Sequence, residues 1–389
     1  MKRHLDKQLS EHFDHYKQVM VLLGSRQIGK TTILKKLFPQ AKYFLIDNEP
    51  IKKIFETYDI QTYKTLIGKD VKHIVVDEVH LLSDPGRAVK ILYDQMEDLK
   101  ITITGSSSLH IKNKTGESLA GRKIDYRMYP LTFSEYLQQQ NIEQKLNFNV
   151  LKKIISSETG ISAENLYQFD MENILSAVLI YGLYPFLIES PRDEKYLLNF
   201  VDSLIFKDII ELHLIENKKT ASDLLKLLAF QIGNLINYSE LADNLNTDQR
   251  TVKRYIEIFE KSFIIYRLYP YAKNKRDEIS KSPKIYFADT GVRNAIIDNF
   301  TDLNIRPDKG ALFENFIINE LIKQNDYTGK GYKFYYWRTK QGSEIDLVME
   351  KNDELIALEI KYKKGAINRA FKNRYPEAKQ RVITAKNFY

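Results

Sequence analysis

Five short, mainly apolar runs punctuate the first third of the chain, at Val19 to Leu23, Tyr43 to Ile46, His73 to Val76, Ile101 to Thr104 and Ile124 to Met128. Runs of this length without regular polar alternation suit strands covered on both faces. The stretches between them carry helical spacing, as in Ile33-Leu34-Lys35-Lys36-Leu37. Strand and helix in alternation predict an α/β unit with a mostly parallel sheet. From Glu135 to about Phe230 only helical spacing remains, as in Leu197, Leu198, Phe200, Val201, Leu204 and Ile205. Asn237 to Thr247 and then Asp248 to Lys261 read as a short helix, a turn and a second helix with Thr247 as its N-cap. A hairpin of Phe263 to Tyr271 with Lys284 to Phe287 completes the pattern of a winged helix. A helix from Leu312 and a hairpin over Gly342 to Lys361 follow.

A chain of 389 residues exceeds one hydrophobic core and divides into several domains. Apolar residues at 43% and charged residues at 28% exclude general disorder. The absence of cysteine excludes disulfides, thiol catalysis, iron–sulfur clusters and Cys-ligated zinc, so any metal would be held by oxygen ligands. With no run of 18 apolar residues and a charged amphipathic start, the expectation is a soluble, cytoplasmic protein with no membrane partner. The net charge of +8 is unevenly placed, because Lys361 to Tyr389 holds nine Lys or Arg and one Glu. Such a stripe suits polyanions such as nucleic acid and equally a solvated, solubilising surface.

The first apolar run leads into Gly24-Ser25-Arg26-Gln27-Ile28-Gly29-Lys30-Thr31-Thr32, in the strand, loop, helix context of a P-loop. Gly24 and Gly29 let backbone amides face phosphates, Lys30 neutralises the β and γ phosphates of ATP, and Thr31 offers a hydroxyl to Mg2+. The run ending in Asp77-Glu78 is expected on a neighbouring parallel strand, with Asp77 holding the ion through water and Glu78 orienting the attacking water. Thr104-Gly-Ser106 is expected at the end of the strand beside the P-loop strand, where Ser106 can sense the γ-phosphate. Glu117 to Arg122 reads as a helix ending before the fifth strand, where Arg122 is either an arginine finger for an adjacent subunit or a charge at a helix C-terminus.

These segments resemble the AAA-type (AAA+) ATPases, and specifically a widespread prokaryotic family of ATP-binding proteins. The shared motifs stand here as Gly24 to Thr31, Asp77-Glu78, Thr104-Gly-Ser-Ser-Ser108, Leu119-Ala-Gly-Arg122, Pro130-Leu-Thr-Phe-Ser-Glu-Tyr136 and Tyr181-Gly-Leu-Tyr-Pro185. In the last of these, Leu183 replaces a second glycine of the family. The resemblance implies an AAA+ core and a C-terminal domain of unknown function; the helical stretch after Glu135 would form a lid behind the nucleotide, and Arg122, where a neighbour's nucleotide could receive it, motivates a homo-oligomer.

Gln249, Arg250, Lys253 and Arg254 would open the second helix of the winged-helix pair, the end that meets base edges in such modules, and Lys273, Lys275 and Arg276 would lie near the hairpin tip. The same module also serves in protein contacts. In the last hairpin a turn at Asn352-Asp353 opposes Ile345 to Ile360, Leu347 to Leu358 and Met349 to Ile356, making one face apolar. On the other face Glu344 opposes Lys361, and Asp346 opposes Glu359 at about 5 Å between Cβ atoms. Opposed carboxylates repel unless a cation or a proton intervenes, so Mg2+ or Mn2+ is expected there. Lys361 would steady charge on a scissile phosphate. This spacing resembles the PD-(D/E)xK nuclease superfamily, which implies Glu314 as a further acid beside the metal ligands Asp346 and Glu359.

The expected division is 1–135 for the ATPase core, 136–230 for a helical lid and linker bundle, 231–293 for the winged helix and 294–389 for a small restriction-endonuclease-like α/β domain. Two functions fit. One is an oligomeric ATPase acting on nucleic acid, DNA above all, with a metal-dependent nuclease-like domain. The other is an ATP-dependent regulatory switch whose C-terminal half binds partners or DNA without cleaving. The opposed acids beside a lysine favour the first.

Overall fold

A computed structural model describes residues 1–106, 119–140, 149–156, 170–210, 215–272 and 282–388. The chain forms two compact units, Met1–Tyr129 with Lys261–Phe263, and Pro130–Glu260 with Ile264–Tyr389.

The first unit is built on five strands, β1 (Val19–Leu23), β2 (Lys42–Leu45), β3 (His73–Asp77), β4 (Lys100–Gly105) and β5 (Lys123–Arg127). They lie in the order β2-β3-β4-β1-β5, and all pairs are parallel. Every residue of β1 is buried, as a central strand covered on both faces requires. Helices Lys30–Leu37, Glu49–Phe55, Ile60–Ile67 and Pro85–Gln95 form the connections. Asp59 and Asp84 cap two of them by accepting from Thr62 and Arg87 amides. The five predicted strands are present. One adjacency differs from expectation: β3, which delivers Asp77, is separated from β1 by β4.

The second unit combines helices with a six-stranded sheet in the order β11-β10-β9-β8-β6-β7, where β6 is Ile265–Pro270, β7 Lys284–Phe287, β8 Lys333–Arg338, β9 Glu344–Lys351, β10 Glu354–Lys361 and β11 Lys379–Thr384. The helical stretch expected as a lid and linker packs into this unit. Leu131, Phe133, Val150, Ile154, Leu175 and Leu179 share one apolar core with Phe313, Ile317, Leu347 and Leu358. The Pro130 to Tyr136 motif is a helix start: Thr132 and Glu135 form a reciprocal capping box, and the Phe133 amide donates to the buried Glu320 carboxylate at 3.0 Å. The expected wing hairpin, β6 with β7, also belongs to this sheet, because Tyr269 and Pro270 pair in parallel with Tyr335 and Tyr336 of β8. The N-cap of helix Gln249–Lys261 is Asp248 rather than Thr247. The Asp248 carboxylate accepts from the Thr251 amide at 3.0 Å and from its hydroxyl at 2.7 Å.

The last hairpin keeps its expected register over Lys351–Glu354 to Leu347–Leu358, turning at Asn352, whose φ is +51°. It then departs. Between Tyr335 and Trp337 of β8 two steps match three along β9, from Val348 to Ile345, so β9 carries a bulge at Asp346 or Leu347. The extra residue turns Ile345 to the opposite face from the one expected, where it packs with Trp337, Val348, Ala357 and Phe371, while Leu347, Met349, Ile356, Leu358 and Ile360 stay together.

Candidate functional site

The P-loop runs from the end of β1 into helix Lys30–Leu37, and its glycines are required by the backbone. A Cβ on Gly24 would lie 2.3 Å from the Met128 carbonyl oxygen, and Gly29 holds φ at +92°. Lys30 is buried, with its ammonium donating to the Gly24 and Ser25 carbonyls at 2.8 and 2.9 Å. Arg3, which sequence reasoning did not single out, donates to the Ile28 carbonyl at 3.1 Å and to that of Tyr129 at 2.7 Å, fixing the loop from outside. No motif marks such a residue.

At the end of β3 the Asp77 carboxylate accepts from the Thr31 hydroxyl at 2.6 Å through Oδ2 and from the Thr104 hydroxyl through Oδ1. A hydroxyl and a carboxylate in direct contact at the mouth of a P-loop fit the oxygen donor set of Mg2+. Thr31 and Asp77 would hold that ion when ATP is bound, and the ion would neutralise charge on the phosphates. Thr104 opens one of the shared motifs, but its contact with Asp77 was not expected. It also accepts from the Glu78 amide at 3.2 Å. Glu78 has a left-handed backbone, φ +56° and ψ +40°, with its carboxylate 3.2 Å from Nδ1 of the buried His80. Ser106 lies just past β4, with its hydroxyl 3.4 Å from His80 Nε2. Arg122 follows a turn in which its amide donates to the Leu119 carbonyl, and its guanidinium pairs with Asp94 at 2.8 Å on the surface. Glu117, Ser107 and Ser108 lie outside the described residues.

The second unit brings together Glu314, Asp346, Glu359 and Lys361 as expected, and adds Tyr286, Lys284 and Glu344. Lys361 Nζ stands 2.6 Å from Asp346 and 3.4 Å from Glu359. Asp346 also accepts from the Ile360 amide at 2.7 Å, where the hairpin ladder has ended. Tyr286 donates to Glu314 at 2.5 Å, and the buried Lys284 pairs with Glu344 and lies 3.7 Å from Glu314. Burial first, and then the Asp346 charge, push the carboxyls of Glu314 and of Glu359 up to about 7. Burial alone would lower the Lys361 ammonium, but Asp346 and Glu359 overcome this and raise it. Among the described residues no group of three or more His, Cys, Asp or Glu side chains is gathered as a metal site. The expected ligands Glu314, Asp346 and Glu359 are neighbours but do not converge on one point, because Lys361 and Lys284 occupy the ground between carboxylates. This arrangement does not fit Mg2+ or Mn2+.

The acids carry a linkage effect. A carboxyl whose folded pKa is raised binds its proton longer in the folded chain, so its contribution to stability falls as pH rises from the ordinary carboxylate range to about 7. Glu359→Gln, which stays neutral, should therefore lose less stability than the parent between pH 4.5 and pH 7.5, a window of about three units set by those shifts. Urea midpoints measured at a series of pH values give the comparison. Parallel curves would contradict it.

Gln249, Arg250, Lys253 and Arg254 are exposed along the start of helix Gln249–Lys261. Gln249 donates to Ser239 at 2.6 Å, Lys253 lies over the Tyr238 ring and Arg254 pairs with Glu216 at 3.0 Å. Lys273, Lys275 and Arg276 lie outside the described residues. In the C-terminal segment Lys363, Lys364, Arg369, Lys372 and Arg374 are exposed. Among the described residues no helix is long and apolar enough to cross a membrane.

Comparison with known proteins agrees with the first unit's geometry. Residues 16–137 match the family described as an AAA domain, and residues 172–303 and 309–387 match two domains of unknown function, DUF8612 and DUF4143. The chain thus carries an AAA-type ATPase domain followed by domains of unknown function. Over 376 residues it is 25% identical to an uncharacterized protein of Methanocaldococcus jannaschii, covering 90% of this chain and 77% of that one. It is 26% identical to an uncharacterized protein of Mycobacterium tuberculosis, covering 89% and 71%. Among solved structures, the Walker-type ATPase PABY2304 of Pyrococcus abyssi is similar with a TM-score of 0.46 and 16% identity, over 75% of this chain and 94% of that one.

Proposed function

We propose that this chain hydrolyses ATP at its AAA domain and uses the reaction to act on nucleic acid, DNA above all, held by the second unit. The observation that carries the ATPase reading is the joined set of Lys30 in its loop, Thr31 on Asp77 and Glu78 beside it. In this reading Lys30 and the P-loop amides bind the phosphates, Thr31 and Asp77 hold the Mg2+, and Glu78 orients water in line with the γ-phosphate. Arg122 is half-buried where it pairs with Asp94 and would serve a neighbouring subunit after exchanging Asp94 for a phosphate. Hydrolysis should then depend on protein concentration, and mixing Arg122→Ala with Lys30→Ala subunits should restore part of it.

The basic C-terminal segment and helix Gln249–Lys261 support the choice of nucleic acid. Their contacts would be to phosphates, so affinity for a DNA duplex should fall steeply with salt, by about tenfold or more between 50 and 200 mM, as condensed counterions are released. Fluorescence anisotropy of labelled duplex measures this. A salt-insensitive affinity would contradict it.

One observation favours the switch reading of the acidic cluster. Lys284 already pairs with Glu344 and Lys361 with Asp346, so protein cations balance part of the cluster's charge. If it is a scaffold, Asp346→Asn would relieve repulsion and keep every DNA-dependent activity. If it cleaves, Asp346→Ala or Lys361→Ala would abolish cutting of linear, branched or circular DNA while ATP hydrolysis continued.

A further inference from the structure

The ends of β3 and β4 are tied by two connections, and the motif roles use only one of them. Thr104 lies within β4 and Ser106 just past its end. Thr104 touches Asp77 and the Glu78 amide directly. Ser106 takes another route to the same acid. Its hydroxyl instead lies 3.4 Å from Nε2 of His80, and the other ring nitrogen, Nδ1, lies 3.2 Å from Oε2 of Glu78.

The backbone brings this about. Glu78 takes a left-handed conformation, the turn Val79–Leu81 follows it, and the Leu81 amide donates to the Glu78 carbonyl at 3.0 Å. That turn places the imidazole of His80 against the carboxylate of Glu78. His80 is buried, and the facing Oε2 of Glu78 is buried with it, while the Glu78 side chain as a whole keeps a fifth of its surface. A neutral imidazole with its proton on Nδ1 suits both contacts: Ser106 would donate to Nε2, while Nδ1–H faces Oε2 of Glu78 at 3.2 Å, close enough for a hydrogen bond though not aligned for one.

We infer that His80 is a positioning residue for ATP hydrolysis: it pins one carboxylate oxygen of Glu78, leaves the other for the attacking water, and links the rotamer of Glu78 to Ser106. This rests on the reading of Glu78 as the water-orienting group. The consequence is that the hydroxyl expected to meet the γ-phosphate and the carboxylate expected to orient water are held by the same imidazole. A change at Ser106 when ATP binds is then felt at Glu78 through two contacts. Misplacing a reacting group by about 1 Å can cost on the order of 100-fold in rate, so loss of the pin should appear in turnover and not in binding.

The test compares His80→Ala, His80→Asn and His80→Gln for phosphate release and for binding of a fluorescent ATP analogue. An Asn amide occupies the place of Nδ1 and can still donate to Glu78, whereas a Gln amide reaches the place of Nε2 and cannot. The expected result is a fall in kcat of about 10- to 100-fold for Ala and Gln, with analogue affinity within about twofold, and recovery of most of the rate by Asn. In a Glu78→Gln background His80→Ala should cost nothing further, because the group it positions is gone. Wild-type kcat in His80→Ala would overturn the inference. So would equal loss of binding and turnover in all three variants, which would make His80 a packing residue only. If Glu78→Gln itself turned over at the wild-type rate, the failure would lie in the Glu78 assignment beneath the inference.

Discussion

Glu78→Gln should bind ATP as the parent does and release phosphate about 100- to 1,000-fold more slowly, the range seen when one preorganised group is removed from a reacting centre. Lys30→Ala should fail earlier, at binding. Its ammonium is buried among the Gly24 and Ser25 carbonyls, in the loop that would receive the phosphates. A charge-assisted hydrogen bond of about 1.5–3 kcal/mol corresponds to roughly 10- to 100-fold in affinity. Equilibrium binding and single-turnover hydrolysis separate the two variants. Equal defects in binding would show that the division of roles between loop and strand end is wrong.

Asp289→Ala should lower the stability of the second unit by about 2–5 kcal/mol, because two buried amides lose their acceptor. The buried Asp289 carboxylate accepts from the Leu183 amide at 2.7 Å and the Val292 amide at 3.1 Å. Beside it Asn294 donates to the Leu179 and Ile180 carbonyls at 3.0 and 2.7 Å, and Thr290 to the Val178 carbonyl at 3.0 Å. Together these tie helix Met171–Tyr181 to helix Thr290–Ile296. Burial raises the Asp289 pKa against these amide donors, so Asp289→Asn, which keeps an acceptor oxygen without the charge, should cost much less than Ala. Trp337, the single tryptophan of the chain, is buried in the second unit and reports its unfolding in urea. An Ala variant with an unchanged midpoint would contradict the assignment of this contact.

That contact also shows where sequence reading stops. The Tyr181 to Pro185 motif stood out as a pattern, but its partner Asp289 is over a hundred residues away, and no periodicity links the two. The P-loop and the β3 end were legible because loop geometry and local order dictate them: Gly24 must clear the Met128 carbonyl, and Lys30 must follow Gly29. The five strands of the first sheet were legible for the same reason, since burial on both faces leaves continuous apolar runs. Strand order was legible only in part: the run ending at Thr104 does lie beside the P-loop strand, but it also separates that strand from β3. In the last hairpin the register was readable as far as Leu347 and Leu358, where opposed apolar pairs specify it. A bulge of one residue beyond that point reversed Ile345, and nothing in alternation announces a bulge. Lys284, from the hairpin read as a wing, enters the acidic cluster only because β6 and β7 join the same sheet as β9 and β10.

Phosphate release by the purified wild-type chain, with ATP and Mg2+ and with or without duplex DNA, tests the central claim most directly. Hydrolysis should require Mg2+, fall about 100- to 1,000-fold in Glu78→Gln and change in rate when DNA is added at low salt. Hydrolysis that persists at the wild-type rate in Glu78→Gln, or no hydrolysis under any of these conditions, would contradict it.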